Sequence, residues 1–218
     1  MPEPIPCPLC GCGQTRHFHT DGRREYHRCS VCDLVFVPSD FFVSREEEKD
    51  LYDMHENDPQ DMAYRQFLSR LFDPMQERIP QHASGLDFGS GPGPTLSRMF
   101  EEQGHRVRLY DPFYAPDESA LHAEYDFITA TEVAEHLHQP AFELERLWSL
   151  LRPAGWLGIM TRRFNPKLYF PDWHYKNDPT HVIFFSDLTF EWLANQWETT
   201  VSFHGADVVL LQKPPKNT

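Results

Sequence analysis

Two pairs of cysteines open the chain, Cys7 and Cys10 in CPLC and Cys29 and Cys32 in CSVC. Each C-x2-C turn presents two thiolates on one side, and a hairpin between the turns would gather all four around a tetrahedral zinc ion. Disulfides and unligated thiols are the competing readings, the former disfavoured in a cytoplasmic chain. Cys12 is left over, and His17, His19 or His27 can replace one thiolate. A second donor group stands in TEVAEHL, where Glu132, Glu135 and His136 fall at i, i+3 and i+4. On a helix these would share a face, and two carboxylates with an imidazole suit Mg²⁺, Mn²⁺, Co²⁺ or Zn²⁺. Without a metal, His136 would line a ligand site and Glu135 would cap a helix. The third feature is backbone. In LDFGSGPGPTL, Gly89, Gly91 and Gly93 follow a short apolar run that ends in Asp87 and Phe88. Such a strand–turn–helix lets a ligand touch main-chain amides. Asp111, which closes VRLYD, can accept both hydroxyls of a ribose. A plain tight turn and a strand-end cap are the structural alternatives.

The glycines run G-x-G-x-G, with Pro94 where a dinucleotide fingerprint has its last glycine. This spacing resembles motif I of the class I S-adenosylmethionine-dependent methyltransferases. The resemblance spans roughly residues 81–213 and continues through Asp111, YDFITATEVAEHLHQP and ELERLWSLLRPAGWLGI. It implies a Rossmann-like α/β fold, mostly parallel, with a C-terminal antiparallel hairpin. It also implies S-adenosylmethionine held by Asp87, Gly89, Ser90, Gly91, Gly93, Asp111, Thr131 and Glu132. Between LYDP and YDFI the chain is too short for the family's usual third strand, so the adenine contact is not placed. The E-x-x-E-H pattern resembles the metal-dependent small-RNA 3′-terminal 2′-O-methyltransferases and the ubiquinone-pathway O-methyltransferases. In the RNA enzymes a further histidine precedes a Phe-Glu-Trp stretch, and His181 precedes TFEW here. The resemblance thus implies a second divalent site at Glu132, Glu135, His136 and His181, the same four residues being the catalytic candidates. A metal there would lower the pKa of an acceptor hydroxyl. In its absence His136 or His181 would act as general base. The cysteine-rich front resembles a zinc ribbon, expected to support folding and to contribute nothing to methyl transfer.

These residues need elements to position them. The composition divides the chain into a ribbon at 1–37, a helical linker or cap at 38–80 and the methyltransferase domain at 81–218. In the linker, Ser44 caps SREEEKDLY, and a second helix puts Tyr64, Phe67, Leu68, Leu71 and Phe72 on one face. Further on, GLDFGS, VRLYD, YDFITATE and GWLGIMTRR read as strands. TLSRMFEEQG, AFELERLWSLLRPAG and the Ser186-capped SDLTFEWLANQ read as helices. TTVSFHG and ADVVLLQK form a closing hairpin at Gly205. Strand and helix alternating at this spacing predict a parallel sheet. Residues 164–181 are aromatic and long for a connection. Phe170, Trp173, His174 and Tyr175 would cover the acceptor, or else pack against the helices of residues 44–80.

The chain of 218 residues has a net charge of −13. Residues 1–37 are near neutral, so the acidity lies in the remainder, which disfavours bulk nucleic acid as a partner. No basic start with an apolar run and no stretch of about 20 apolar residues occurs, which points to a soluble, cytoplasmic protein without a membrane span. The first expectation for function is methylation of an oxygen on a small molecule. The alternatives are methylation of an RNA end or a protein with the ribbon as docking module, or a cofactor-binding zinc-ribbon protein without turnover.

Overall fold

The computed structural model describes residues 5–54, 58–165, 167 and 169–216. The front begins with β1 (Thr15–Thr20), β2 (Glu25–Cys29) and β3 (Val35–Phe36). Two helices follow, α1 (Arg45–Tyr52) and α2 (Met62–Gln76). Ser44 closes a capping box with Glu47 at the start of α1, satisfying two amide donors that the helix leaves open. The larger unit then runs β4 (Ser84–Phe88), α3 (Thr95–Glu102), β5 (Arg106–Tyr110), β6 (Tyr125–Thr131), α4 (Pro140–Leu150), β7 (Leu151–Met160), β8 (Ile183–Phe184), α5 (Asp187–Gln196), β9 (Val201–His204) and β10 (Val208–Gln212).

Six of these strands form one sheet in the order β5-β4-β6-β7-β10-β9. The first four are parallel, while β10 runs antiparallel to both β7 and β9. This is the expected α/β architecture with its closing hairpin. The order reverses beside β4, so the ends of β4 and β6 form the crevice where such sheets take ligands. The expected gap after β5 is real among the described residues. Residues 111–124 hold an Asp111–Ala115 bridge and a 3-10 turn at Glu118–His122, leaving β5 at the edge.

Two layers cover the sheet. Leu68, Leu71 and Met75 of α2 pack with Met99 and Phe100 of α3 and with Phe127, Met160 and Leu210 of the strands. The second helix is therefore a layer of the core as much as a cover, as its apolar stripe demands. On the other side, Leu144, Leu147 and Trp148 of α4 and Phe190 and Leu193 of α5 share one core with the ribbon's Tyr26, Leu34 and Phe36.

Two expectations are corrected. Helix α4 ends at Leu150 and does not run through Gly155, because Leu151 already pairs with Tyr125 of β6. Arg152 to Gly155 form a bulge in β7, with Ala154 at φ 64°. Lys213 fastens this corner by donating from Nζ to the carbonyls of Trp148 and Leu151, each at 2.8 Å. The second is β8, a strand not among those expected from the sequence. It pairs antiparallel with β3, so a four-stranded sheet β1-β2-β3-β8 takes its last strand from the larger unit.

Candidate active site

The loop after β4 turns at Gly89, with φ 73°, and again at Gly91, with φ 62°. A side chain at Gly89 would place its Cβ 2.3 Å from Cγ2 of Val133, so the turn is closed against the end of β6 and only glycine fits. Its shape is held from the next strand. Gly89 N–H donates to the Tyr110 carbonyl at 2.7 Å, and Gly91 N–H donates to Asp111 Oδ2 at 2.9 Å. Asp111 Oδ1 accepts from the amides of Phe113 and Tyr114 at 2.8 and 3.0 Å. Asp111 thus ties the glycine loop to its own turn and still lines the cavity. Helix α3 starts after Pro94, which sits just outside it as the N-cap residue.

The cavity above this loop holds about 560 Å³. Gly89, Ser90, Gly91, Gly93, Asp111, Thr131 and Glu132 line it, with Asp87 at its floor. Ser90 Oγ and Thr131 Oγ1 are buried without a hydrogen-bond partner among the described residues. Buried hydroxyls are rarely left so, and their orphaning suits a ligand that brings donors and acceptors into the cavity. The residues present therefore fit a nucleoside cofactor. Phe88 and Tyr110, stacked at 5.5 Å, also line the cavity, with the Arg146 guanidinium 5.8 Å from each ring.

Asp87 does not project freely into the cavity. Its carboxylate accepts from Ser97 Oγ at 2.7 Å and Thr129 Oγ1 at 3.0 Å. Burial pushes its pKa from 3.8 to about 6, against these hydroxyls and with help from Asp111. The folded-state value lies above the unfolded one. The stabilising contribution is thus complete below about 3.8 and is lost as pH rises through about 6. We expect Asp87→Asn to remove this loss, gaining about 3 kcal/mol relative to the wild type between pH 4 and 7.5. Urea unfolding at the two pH values checks this; parallel pH profiles for the two proteins would contradict it.

Past β6 the chain does not form the helix that would align Glu132, Glu135 and His136. It makes one 3-10 turn at Ala134–His136. Glu132 takes the left-handed conformation, φ 52°, its N–H bonded to the Met160 carbonyl at 2.7 Å. A non-glycine residue held there stores strain. Glu132 lines the cavity but falls outside the cluster formed by Glu135, His136 and His181. Burial, then Glu135 and Asp207, push its carboxyl up to about 8.

Donor atoms of Glu135, His136 and His181 all lie within 4.8 Å of one another. Glu135 is fully buried; one oxygen accepts from the Tyr175 hydroxyl, and Oε2 has no hydrogen-bond partner among the described residues. His136 Nδ1 lies 3.2 Å from the Thr180 carbonyl, and His181 Nδ1 lies 2.7 Å from the Tyr175 carbonyl. A carbonyl only accepts, so in the neutral rings Nδ1 carries the proton and Nε2 keeps the lone pair. Burial, then His136, lower the His181 pKa, with Glu135 and Asp178 opposing. Burial raises that of Glu135, with His181 and Tyr175 opposing. An orphaned buried carboxylate oxygen beside two lone-pair nitrogens fits a divalent cation.

Several lining residues escaped the sequence reading. Asp178 Oδ2 stands 3.9 Å from His181 Nε2. Glu48 Oε1 accepts from Tyr52 Oη at 2.8 Å, and the Tyr52 ring meets His136 edge-on at 5.3 Å. The i, i+4 spacing of Glu48 and Tyr52 was a usable signal for a shared helix face; Asp178 gave none. The aromatic cover is a correction: Phe170 and Trp173 are buried against the ribbon side, touching Phe18, Tyr26, Phe164 and Phe184, and not against residues 44–80. A small ribbon has apolar faces to bury, and this segment supplies their partner. His174 is exposed, and Tyr175 lies beneath Glu135.

At the front, Sγ atoms of Cys7, Cys10, Cys29 and Cys32 gather within 4.8 Å. Cys7–Cys32 and Cys10–Cys29 are each 3.5 Å apart. That is too long for a disulfide of about 2.05 Å, and the four soft donors fit tetrahedral zinc. Cys12 also approaches, 3.3 Å from Cys29.

The sheet order, the glycine loop and the cavity between them define a class I S-adenosylmethionine-dependent methyltransferase fold. Residues 54–199 match the family model described as a methyltransferase domain, and the chain belongs to that family. The ubiquinone biosynthesis O-methyltransferase of Aeromonas salmonicida is 32% identical over 88 residues, covering 40% of this chain and 37% of that protein. The 1,6-didemethyltoxoflavin-N1-methyltransferase of Burkholderia thailandensis, solved with 1,6-didemethyltoxoflavin and S-adenosylhomocysteine, superposes with a TM-score of 0.56 at 16% identity. That match covers 91% of this chain and 99% of the other. The S-adenosylhomocysteine-bound CalO1 methyltransferase of calicheamicin biosynthesis gives 0.52 at 13% identity, over 78% of this chain and 58% of that one. No helix among the described residues is long and apolar enough to cross a membrane.

Proposed function

We propose that the chain transfers the methyl group of S-adenosylmethionine to an oxygen of a small-molecule acceptor. Cys7, Cys10, Cys29 and Cys32 hold zinc, and Glu135, His136 and His181 hold a divalent cation. The observation that carries this reading is a single cavity walled by both the glycine loop and the two histidines. The cofactor supplies an electrophilic methyl on a good leaving group, and the cation lowers the pKa of an acceptor hydroxyl. The chain's own residues do the rest. Gly89, Ser90, Gly91, Gly93, Asp111 and Thr131 bind the nucleoside, with Asp87 supporting the loop from below. Glu132 lines the same cavity, and a bound cationic cofactor would favour its ionised form. Tyr52, Tyr64 and Phe67 give the acceptor an apolar wall. In the absence of the cation, Nε2 of His136 or His181 would instead take the hydroxyl proton. The choice of oxygen rests on the cluster of Glu135, His136 and His181, which suits activation of a hydroxyl, and on the Aeromonas relative's name. The six carboxylates on the cavity wall, against one arginine, speak against a polyanionic acceptor such as an RNA end.

Release of S-adenosylhomocysteine tests the proposal against hydroxylated aromatics, aromatic amines and an RNA 3′ end. Hydroxyl acceptors should turn over, and His181→Asn should lower the rate about 10²-fold or more with cofactor affinity retained. Preference for the amine or the RNA would overturn the oxygen assignment. Full activity after stringent chelation, with the ribbon zinc retained, would remove the divalent cation from it.

A further inference from the structure

We propose that Arg24 of the ribbon is a positioning residue for the two histidines, so that the metal-bound front forms part of the catalytic apparatus. The inference rests on the reading of the site just given. Arg24 lies in the turn entering β2, far in sequence from the cavity, yet it is only 6% exposed. A guanidinium is buried at a cost that only full hydrogen bonding offsets, and three of its four acceptors here lie on one segment outside the ribbon. Nε donates to the Tyr26 hydroxyl at 3.0 Å, Nη1 to the Pro179 carbonyl at 3.1 Å, and Nη2 to the Asp178 carbonyl at 2.7 Å and to the Lys176 carbonyl. Three main-chain carbonyls of residues 176–179 thus converge on one side chain.

That segment orients the site. The Asp178 carbonyl that receives Arg24 also accepts the His181 N–H at 3.3 Å. The neighbouring carbonyls of Tyr175 and Thr180 fix Nδ1 of His181 and of His136. Further anchors come from the ribbon. Asp21 Oδ2 accepts from Lys176 Nζ at 3.1 Å and from Tyr26 Oη at 2.8 Å. Val37 N–H donates to the Val182 carbonyl at 2.8 Å, just before the β3–β8 pairing. The carbonyls that set both imidazole tautomers therefore sit on a segment clamped at each end by the first 37 residues. Loss of the clamp frees the rings to rotate or exchange tautomers, and Nε2 of each no longer points reliably into the cavity.

The test uses the full zinc-loaded chain with Arg24→Gln and Arg24→Lys. Long-range ¹⁵N–¹H spectra report the tautomers of His136 and His181, and Mn²⁺ binding followed by electron paramagnetic resonance reports the cluster. The wild type should show the Nδ1–H form for both rings. Arg24→Gln should mix the forms and weaken Mn²⁺ binding about tenfold, with zinc content and S-adenosylhomocysteine affinity unchanged. Arg24→Lys should recover part of both. A folded, zinc-replete Arg24→Gln protein with wild-type tautomers overturns the proposal. Should that variant fail to fold, Asp21→Asn, which releases Lys176 and Tyr26, is read in the same way, and unchanged tautomers there overturn it equally. A wild type that takes up no Mn²⁺ defeats the cation assignment instead, and the tautomer spectra still decide the role of Arg24.

Discussion

Stripping the metal from Cys7, Cys10, Cys29 and Cys32, or replacing Cys29 with serine, should unfold residues 5–37 and destabilise the whole chain. The ribbon's three strands are short and bury little of their own, so on the proposed reading metal binding stands in for a core; zinc contributes about 10–16 kcal/mol to such folds in isolated peptides. What the front does bury it shares, since Tyr26, Leu34 and Phe36 belong to the same core as Phe164, Phe184 and Leu193. Losing the ribbon therefore exposes apolar surface on the larger unit. Amide exchange should show protection lost at residues 15–37 and 182–185 together, with a lower thermal midpoint, while β4 to β6 remain protected. Cys12→Ser, by contrast, should keep one zinc per chain, despite its thiol lying 3.4 Å from Cys10. Unchanged protection after verified metal removal would show that apolar packing alone holds the ribbon.

Gly89→Ala should abolish cofactor binding with little loss of secondary structure. Two penalties act together. A left-handed φ of 73° costs an alanine about 1–2 kcal/mol, and its Cβ would stand 2.3 Å from Val133 Cγ2. The loop must retreat from β6, pulling Gly91 from Asp111 and Ser90 from the cavity wall. Titration calorimetry with S-adenosylhomocysteine should show affinity reduced at least about 100-fold, some 2.7 kcal/mol. Adding Val133→Ala removes the collision but leaves the dihedral strain, so the double variant should recover only part. Wild-type affinity in the single variant would mean that this turn does not shape the cofactor site.

The glycine turn, the Ser44 and Ser186 caps and the closing hairpin were legible because each depends on local chemistry: a conformation only glycine adopts, a hydroxyl at a helix start, a turn between alternating runs. Helix α4 was read too long because Leu151 looks equally apolar as the end of a helix or the start of a strand, and pairing with Tyr125 decides it. Glu132 was placed with the metal donors because i, i+3, i+4 spacing assumes a helix, while the chain makes a left-handed residue and a single 3-10 turn. For Phe170 and Trp173 the sequence leaves both an acceptor cover and packing against residues 44–80 open, and neither is the ribbon side they bury against, because aromatic density cannot say which surface it covers. The Arg24 clamp was invisible for the same reason. Its acceptors are backbone carbonyls, which every residue carries, so no residue type marks them.

The β3–β8 pairing bears on the order of assembly during synthesis. The four thiols precede the larger unit in synthesis, yet the strand that completes their sheet emerges only after β4 to β7. Until then Val35 and Phe36 present an open apolar edge, which is hazardous for a nascent chain. A chain halted before Ile183 would thus carry a cysteine-rich hairpin with an unfinished seam.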